Sequence, residues 1–233
     1  MNISIILPAG LLTAAVIYII MRHAIRRKRS KRDADIVPAP DMAETLASAI
    51  KPCGDIISSA LECLVTDDDI KACRTHRTGA DTLAEIEALI RRTYPETAHD
   101  SNTMAIYLNY MLDATEKIAG TSRLIVTRPG NNLSLSDRCE IDSIRHHISS
   151  MISESSAATG EKRSYTLRTA ADNKAFIEHL IDMHSKSMSH EDFNDGSTSY
   201  SLLSLLYYLH SFINSFQHLT EKLMAASPEN RCR

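Results

Sequence analysis

The stretch MAIYLNYMLDATEKIAGTSRLIV (104–126) decides the fold. Met104, Tyr107, Leu108, Met111, Ile118 and Ile125, with Thr115 in the same row, recur every three or four positions. That is the period of one face of an α-helix. The stretch LLSLLYYLHSFINSFQHLTEKLM (202–224) repeats the pattern 98 positions on: Met104 falls on Leu202, Tyr107 on Leu205, Leu108 on Leu206, Met111 on Leu209, Ile118 on Phe216 and Ile125 on Leu223. Stripes of this kind need other helices to cover them, so an all-α bundle is expected.

Working outward, four further stripes complete two sets of three. Asp41 and Glu44 fit a capping box, followed by Met42, Leu46, Ile50, Cys53, Ile57, Leu61 and Leu64, with Pro52 expected to kink the helix. Asp67, Asp68 and Asp69 favour a second helix start, and its row reads Ile70, Cys73, Leu83, Ile86 and Ile90. RPGNNLS (128–134) is a break. After it, Ile141, Ile144, Ile148, Met151 and Ile152 mark a fourth helix, and Leu167, Ala170, Phe176, Ile177, Leu180 and Ile181 a fifth. Two three-helix halves, 41–127 and 135–227, each forming a three-helix bundle, are expected, and the common offset reads as an internal duplication.

Composition excludes much else. Seven glycines stand at 10, 54, 79, 120, 130, 160 and 196, too far apart for a GxGxxG, a GxxxxGK or a GxSxG motif. There is no HExxH and no CxxC, and with no Trp and 5% aromatic residues an all-β fold is disfavoured. The hydroxyl run SSMISESSAATG (149–160) has no base beside it that would activate a serine. A non-enzymatic protein is expected.

Residues 3–21, ISIILPAGLLTAAVIYIIM, carry no charge and would make roughly 28 Å of helix at ~1.5 Å per residue, close to the ~30 Å hydrocarbon core of a bilayer. Arg22, Arg26, Arg27, Lys28, Arg29, Lys31 and Arg32 follow at once. Charge after the apolar run is the reverse of a cleavable signal peptide. The positive-inside rule then sets the N-terminus outside and the remainder in the cytoplasm. The seven cations are expected to hold anionic lipid headgroups, at ~1 kcal/mol each near the surface. Residues 33–40, DADIVPAP, read as a tether.

Residues 1–32 hold seven of the 26 Lys and Arg and none of the 29 Asp and Glu, so the rest carries a formal charge of −10. Such a domain is a poor nucleic-acid binder. Cysteines at 53, 63, 73, 139 and 232 match no metal-ligand spacing and suit a reducing compartment.

The order of helices and the segment YLNYMLDATEKIAGTSRLIV (107–126) resemble the PhoU-like superfamily, whose signature LxxDLERIGDHxxNI has D, E, R and I where this chain has Asp113, Glu116, Lys117 and Ile118. SLLYYLHSFINSFQHLTEKL (204–223) keeps the signature's histidine as His218, with Ser211, Ile213 and Gln217 at its acidic positions. The resemblance implies a regulator of phosphate uptake, or the cytoplasmic domain of a sodium/phosphate cotransporter without its transporter portion. It also implies partners: a membrane transporter or other membrane-complex subunits, and a second copy of the chain.

In relatives with intact motifs, acidic residues one helical turn apart bind iron or zinc. Here Asp81 and Glu85 keep that spacing, whereas Glu116 is followed four places on by Gly120 and Asp172 by Phe176. No metal and no cofactor are expected from so incomplete a set, and a solvated acidic face accounts for the pair. The adjacent His146 and His147 diverge around a helix, His179 and His184 are offset by about 140°, and His210 and His218 stand two turns apart. Glu191, Asp192 and Asp195 lack the glycine-centred pattern of a calcium loop. An adaptor or assembly subunit of an unrelated membrane complex is the alternative function.

Overall fold

Asp67 adopts φ 58°, a left-handed conformation that aspartate tolerates better than most side chains, and it reverses the chain between the first two helices. Asp68 then caps the second helix, its carboxylate accepting from the Lys71 backbone N–H at 2.8 Å. The computed structural model describes residues 42–94, 99–129, 133–156, 161–188 and 196–226. These form six helices: α1 (Met42–Thr66), α2 (Asp69–Thr93), α3 (His99–Thr127), α4 (Leu135–Ser156), α5 (Glu161–Met188) and α6 (Gly196–Ala226). The all-α class follows, and α1 runs as one element through Pro52. The apolar run 3–21, the cationic cluster 22–32, the tether, Asp41, the acidic residues of 190–195 and Cys232 lie outside the described residues. Among the described residues, no helix is long and apolar enough to cross a membrane.

Helices α1, α2 and α3 pack mutually; α4 lies against α1 and α5, and α6 against α3 and α5. Direct contact between α4 and α6 is marginal at most, so the second half does not close as a three-helix bundle of its own, and its outer helices pack on the first half instead. The two sequence halves are thus joined along α1·α4 and α3·α6, and one continuous apolar core runs through all six helices. Both joining pairs are antiparallel. Gly54 meets Ile152, Ser58 meets Ser149, and Val65 meets Arg138 along α1·α4. Tyr107 meets His218, and Lys117 meets Tyr208, along α3·α6.

The 98-residue offset reappears as burial. Met104, Leu108, Met111 and Ile118 are buried, as are Leu202, Leu206, Leu209 and Phe216. The same offset carries Leu46, Ile50 and Cys53 of α1 onto Ile144, Ile148 and Met151 of α4, all buried. Phe212 and Phe216 are the largest fully buried side chains, each contributing roughly 1.5–3 kcal/mol relative to exposure.

Two rows differ from expectation. On α2, Ile70 and Cys73 are exposed, while Ala72 and Gly79 are buried with Leu83, Ile86 and Ile90. The reason is close approach. A Cβ on Gly79 would stand 3.2 Å from Cγ2 of Ile56, so α2 packs closely on α1 at this glycine. On α5, Leu167, Phe176 and Ile181 are half-buried, and the polar Thr166 and Asn173 join Ala170, Ile177 and Leu180 inside.

Candidate functional site

The residues singled out by sequence divide among three places. Along the α3·α6 seam, Ile118 is core, while Asp113 and Lys117 form an exposed ion pair at 2.7 Å one helical turn apart. The Lys117 ammonium also stands 5.5 Å from the centroid of the Tyr208 ring, within cation–π range. His218 stacks on Tyr107 with centroids 4.8 Å apart, and its Nδ1 lies 3.3 Å from Glu221 Oε2. Lys117 and His218 lace one helix to the other, and Asp113 holds Lys117 from within α3; the apolar rows beneath them set the register.

Asp81 and Glu85 lie exposed on α2, and Glu116 is half-buried on α3. The three do not converge into a three-ligand group.

A third place was not foreseen. Asp137 and Glu140 on the first turns of α4 meet His184 of α5, with the nearest potential ligand atoms all within 4.8 Å of one another. His184 Nε2 is 3.1 Å from Glu140 Oε2, and both side chains are largely covered. Asp137 is held by a reciprocal capping arrangement: its Oδ2 accepts from the Ser134 backbone N–H at 3.0 Å and from the Ser134 hydroxyl at 2.7 Å. Ser134 Oγ in turn accepts from the Asp137 N–H at 3.1 Å. The Ser-x-x-Asp at 134–137 is a sequence-level signal for the helix start. Nothing local links it to a histidine more than forty residues away.

Other histidines also stitch helices together. His147 Nδ1 lies 3.1 Å from Asn173 Oδ1, and Asn173 Nδ2 donates to the His147 carbonyl at 3.4 Å, which satisfies the buried amide. His210 Nε2 lies 2.9 Å from Glu178 Oε1, joining α6 to α5.

The buried thiols are chemically quiet. Desolvation pushes the Cys53 pKa from its ordinary 9.0 up to about 12, against a smaller opposing pull from the Thr115 hydroxyl. Burial also raises Cys63. Cys73 and Cys139 are exposed. Compared with known proteins, the chain matches no protein-family model and none of the curated proteins.

Proposed function

We propose that this chain is a membrane-anchored, non-enzymatic helical module of the PhoU-like kind, built from two three-helix halves and acting on phosphate transport or its signalling. In this reading residues 3–21 span the bilayer with the N-terminus outside, the cationic residues 22–32 rest on anionic headgroups, and the bundle is cytoplasmic. The observation that carries it is the antiparallel pairing of α3 with α6, whose buried rows correspond at one offset and whose surface holds Asp113, Lys117 and His218. Exposed Tyr110, Leu124, Tyr200 and Tyr207 on the same two helices offer contact area to a transporter or another membrane subunit.

The second reading is an adaptor of an unrelated membrane complex. The exposed side chains of Tyr110, Leu124, Tyr200 and Tyr207 would serve that reading as well. Purification from native membranes in mild detergent, with identification of bound proteins, separates the two. Phosphate-transport components and altered phosphate uptake on loss of the protein support regulation. An unrelated complex with unchanged uptake supports the adaptor.

A further inference from the structure

Asp137 and Glu140 face one imidazole, and among the described residues no lysine or arginine is paired with either carboxylate. The nearest cations in sequence are engaged elsewhere. Arg138 turns its guanidinium to the Val65 carbonyl at 3.1 Å, the Leu133 carbonyl at 3.4 Å and Asp67 at 3.3 Å. Lys186, two residues from His184, pairs with Asp182. Beyond hydrogen bonds from Ser134 to Asp137 and from Ser136 to Glu140, the two anionic groups share one imidazole, in a partly covered place where charge is screened less than at the open surface.

We propose that Asp137, Glu140 and His184 form a binding site for a divalent transition-metal ion of the zinc class, bridging the start of α4 to the end of α5. The donor set is one imidazole nitrogen and two carboxylate oxygens, which suits Zn²⁺ and its neighbours better than the all-oxygen shells of calcium or magnesium. Ligands at about 2.0–2.2 Å from a tetrahedral ion lie roughly 3.4 Å apart. Donor atoms already within 4.8 Å reach that spacing by small side-chain rotations. Ser134 supplies the outer support: both hydrogen bonds that it donates fall on Asp137 Oδ2, which would fix the carboxylate and leave Oδ1 to ligate. Three protein donors leave a coordination position for water. The ion would replace the His184–Glu140 contact with two stronger bonds and clamp α5 onto α4, a seam also crossed by His147 with Asn173 and Phe176. This inference does not depend on the phosphate-transport reading.

The test uses the full chain in detergent micelles, stripped with EDTA and titrated with Co²⁺ while its visible absorption is followed, then challenged with Zn²⁺. The expected result is one saturable equivalent of Co²⁺ per chain, displaced by Zn²⁺. His184→Asn, Glu140→Gln and Asp137→Asn should each weaken binding at least tenfold, and Ser134→Ala by about tenfold, as loss of an outer-shell partner does. The double variant Asp81→Asn/Glu85→Gln should bind as the parent does. Zn²⁺ should raise the melting temperature of the parent and leave that of Glu140→Gln in place. Absence of a saturable equivalent overturns the proposal. So does binding that survives unchanged in all three ligand variants, because the metal would then be on the other histidines.

Discussion

Gly54 of α1 and Ile152 of α4 stand so close that a Cβ on the glycine would lie 2.3 Å from the isoleucine Cδ1 and 3.1 Å from its Cγ2. They are also equivalent residues at the 98-residue offset, so the two matching helices cross where the smaller residue admits the larger.

Gly54→Ala should therefore destabilise the protein despite the better helix former. Overpacking costs roughly 1–3 kcal/mol, and the helix gains about 1 kcal/mol from losing a glycine. A net loss of about 1 kcal/mol is expected in urea unfolding. Ile152→Val should recover much of it in the double variant, and simple additivity of the two changes would show that the contact is not the cause.

Thr45 and Thr93 form a buried hydroxyl pair at 3.0 Å between α1 and α2. Thr93 already donates to the Leu89 carbonyl at 3.0 Å, so Thr45 must be the donor in the pair. Thr93→Val strands the Thr45 hydroxyl and should cost about 1–3 kcal/mol. Thr45→Val leaves Thr93 bonded and should cost less, and the double valine should lie closer to the parent than Thr93→Val. Equal losses for the two single variants would contradict this order.

Arg138 fastens the start of α4 to the end of α1 by donating to the Val65 carbonyl, one of the acceptors a helix C-terminus leaves unpaired. The side chain is partly exposed, so solvent screening reduces the gain, and Arg138→Ala should cost about 1 kcal/mol. Arg138→Lys should restore little, because one ammonium cannot span Val65, Leu133 and Asp67. Chemical denaturation of both variants reads the difference, and full recovery by lysine would point to charge alone.

Between pH 9 and about 12 the unfolded chain releases the Cys53 proton that the folded chain retains. The unfolded state then binds fewer protons, so stability falls as pH rises through that window, by about 1.4 kcal/mol per pH unit from this group. Cys53→Ala should flatten the slope between pH 9 and 10.5. At pH 7.5, thiol reagents followed by peptide mapping should label Cys73 and Cys139 quickly, and Cys53 and Cys63 on unfolding. Rapid native labelling of Cys53 would place it outside the core.

Helices α3 and α6 were readable from sequence because a whole face of each is buried by large residues, so period and burial coincide. The start of α2 departs from its apolar pattern for a definite reason. Ile70 looks like core, but Ala72 and Gly79 are buried instead, Gly79 by the approach of α1, and smallness leaves no hydrophobic signal. Asn173 was invisible to a hydrophobic scan because its burial depends on His147, a residue of another helix. Lys117 and His218 reach across the α3·α6 seam, while the ion pair of Asp113 lies within α3. The Asp137, Glu140 and His184 cluster needed the fold, since α5 alone brings the imidazole to α4.

Matching helices meet each other across the molecule, so each half offers its inner surface to its own counterpart. A second chain carries the same counterpart. Deleting residues 130–132 from the connector between α3 and α4 should favour exchange of halves between two chains, giving a swapped dimer with the same contacts. Light scattering should then report a doubled mass with unchanged helicity, and a purely monomeric product would rule the exchange out. The seams that close one chain on itself would also close two chains on each other.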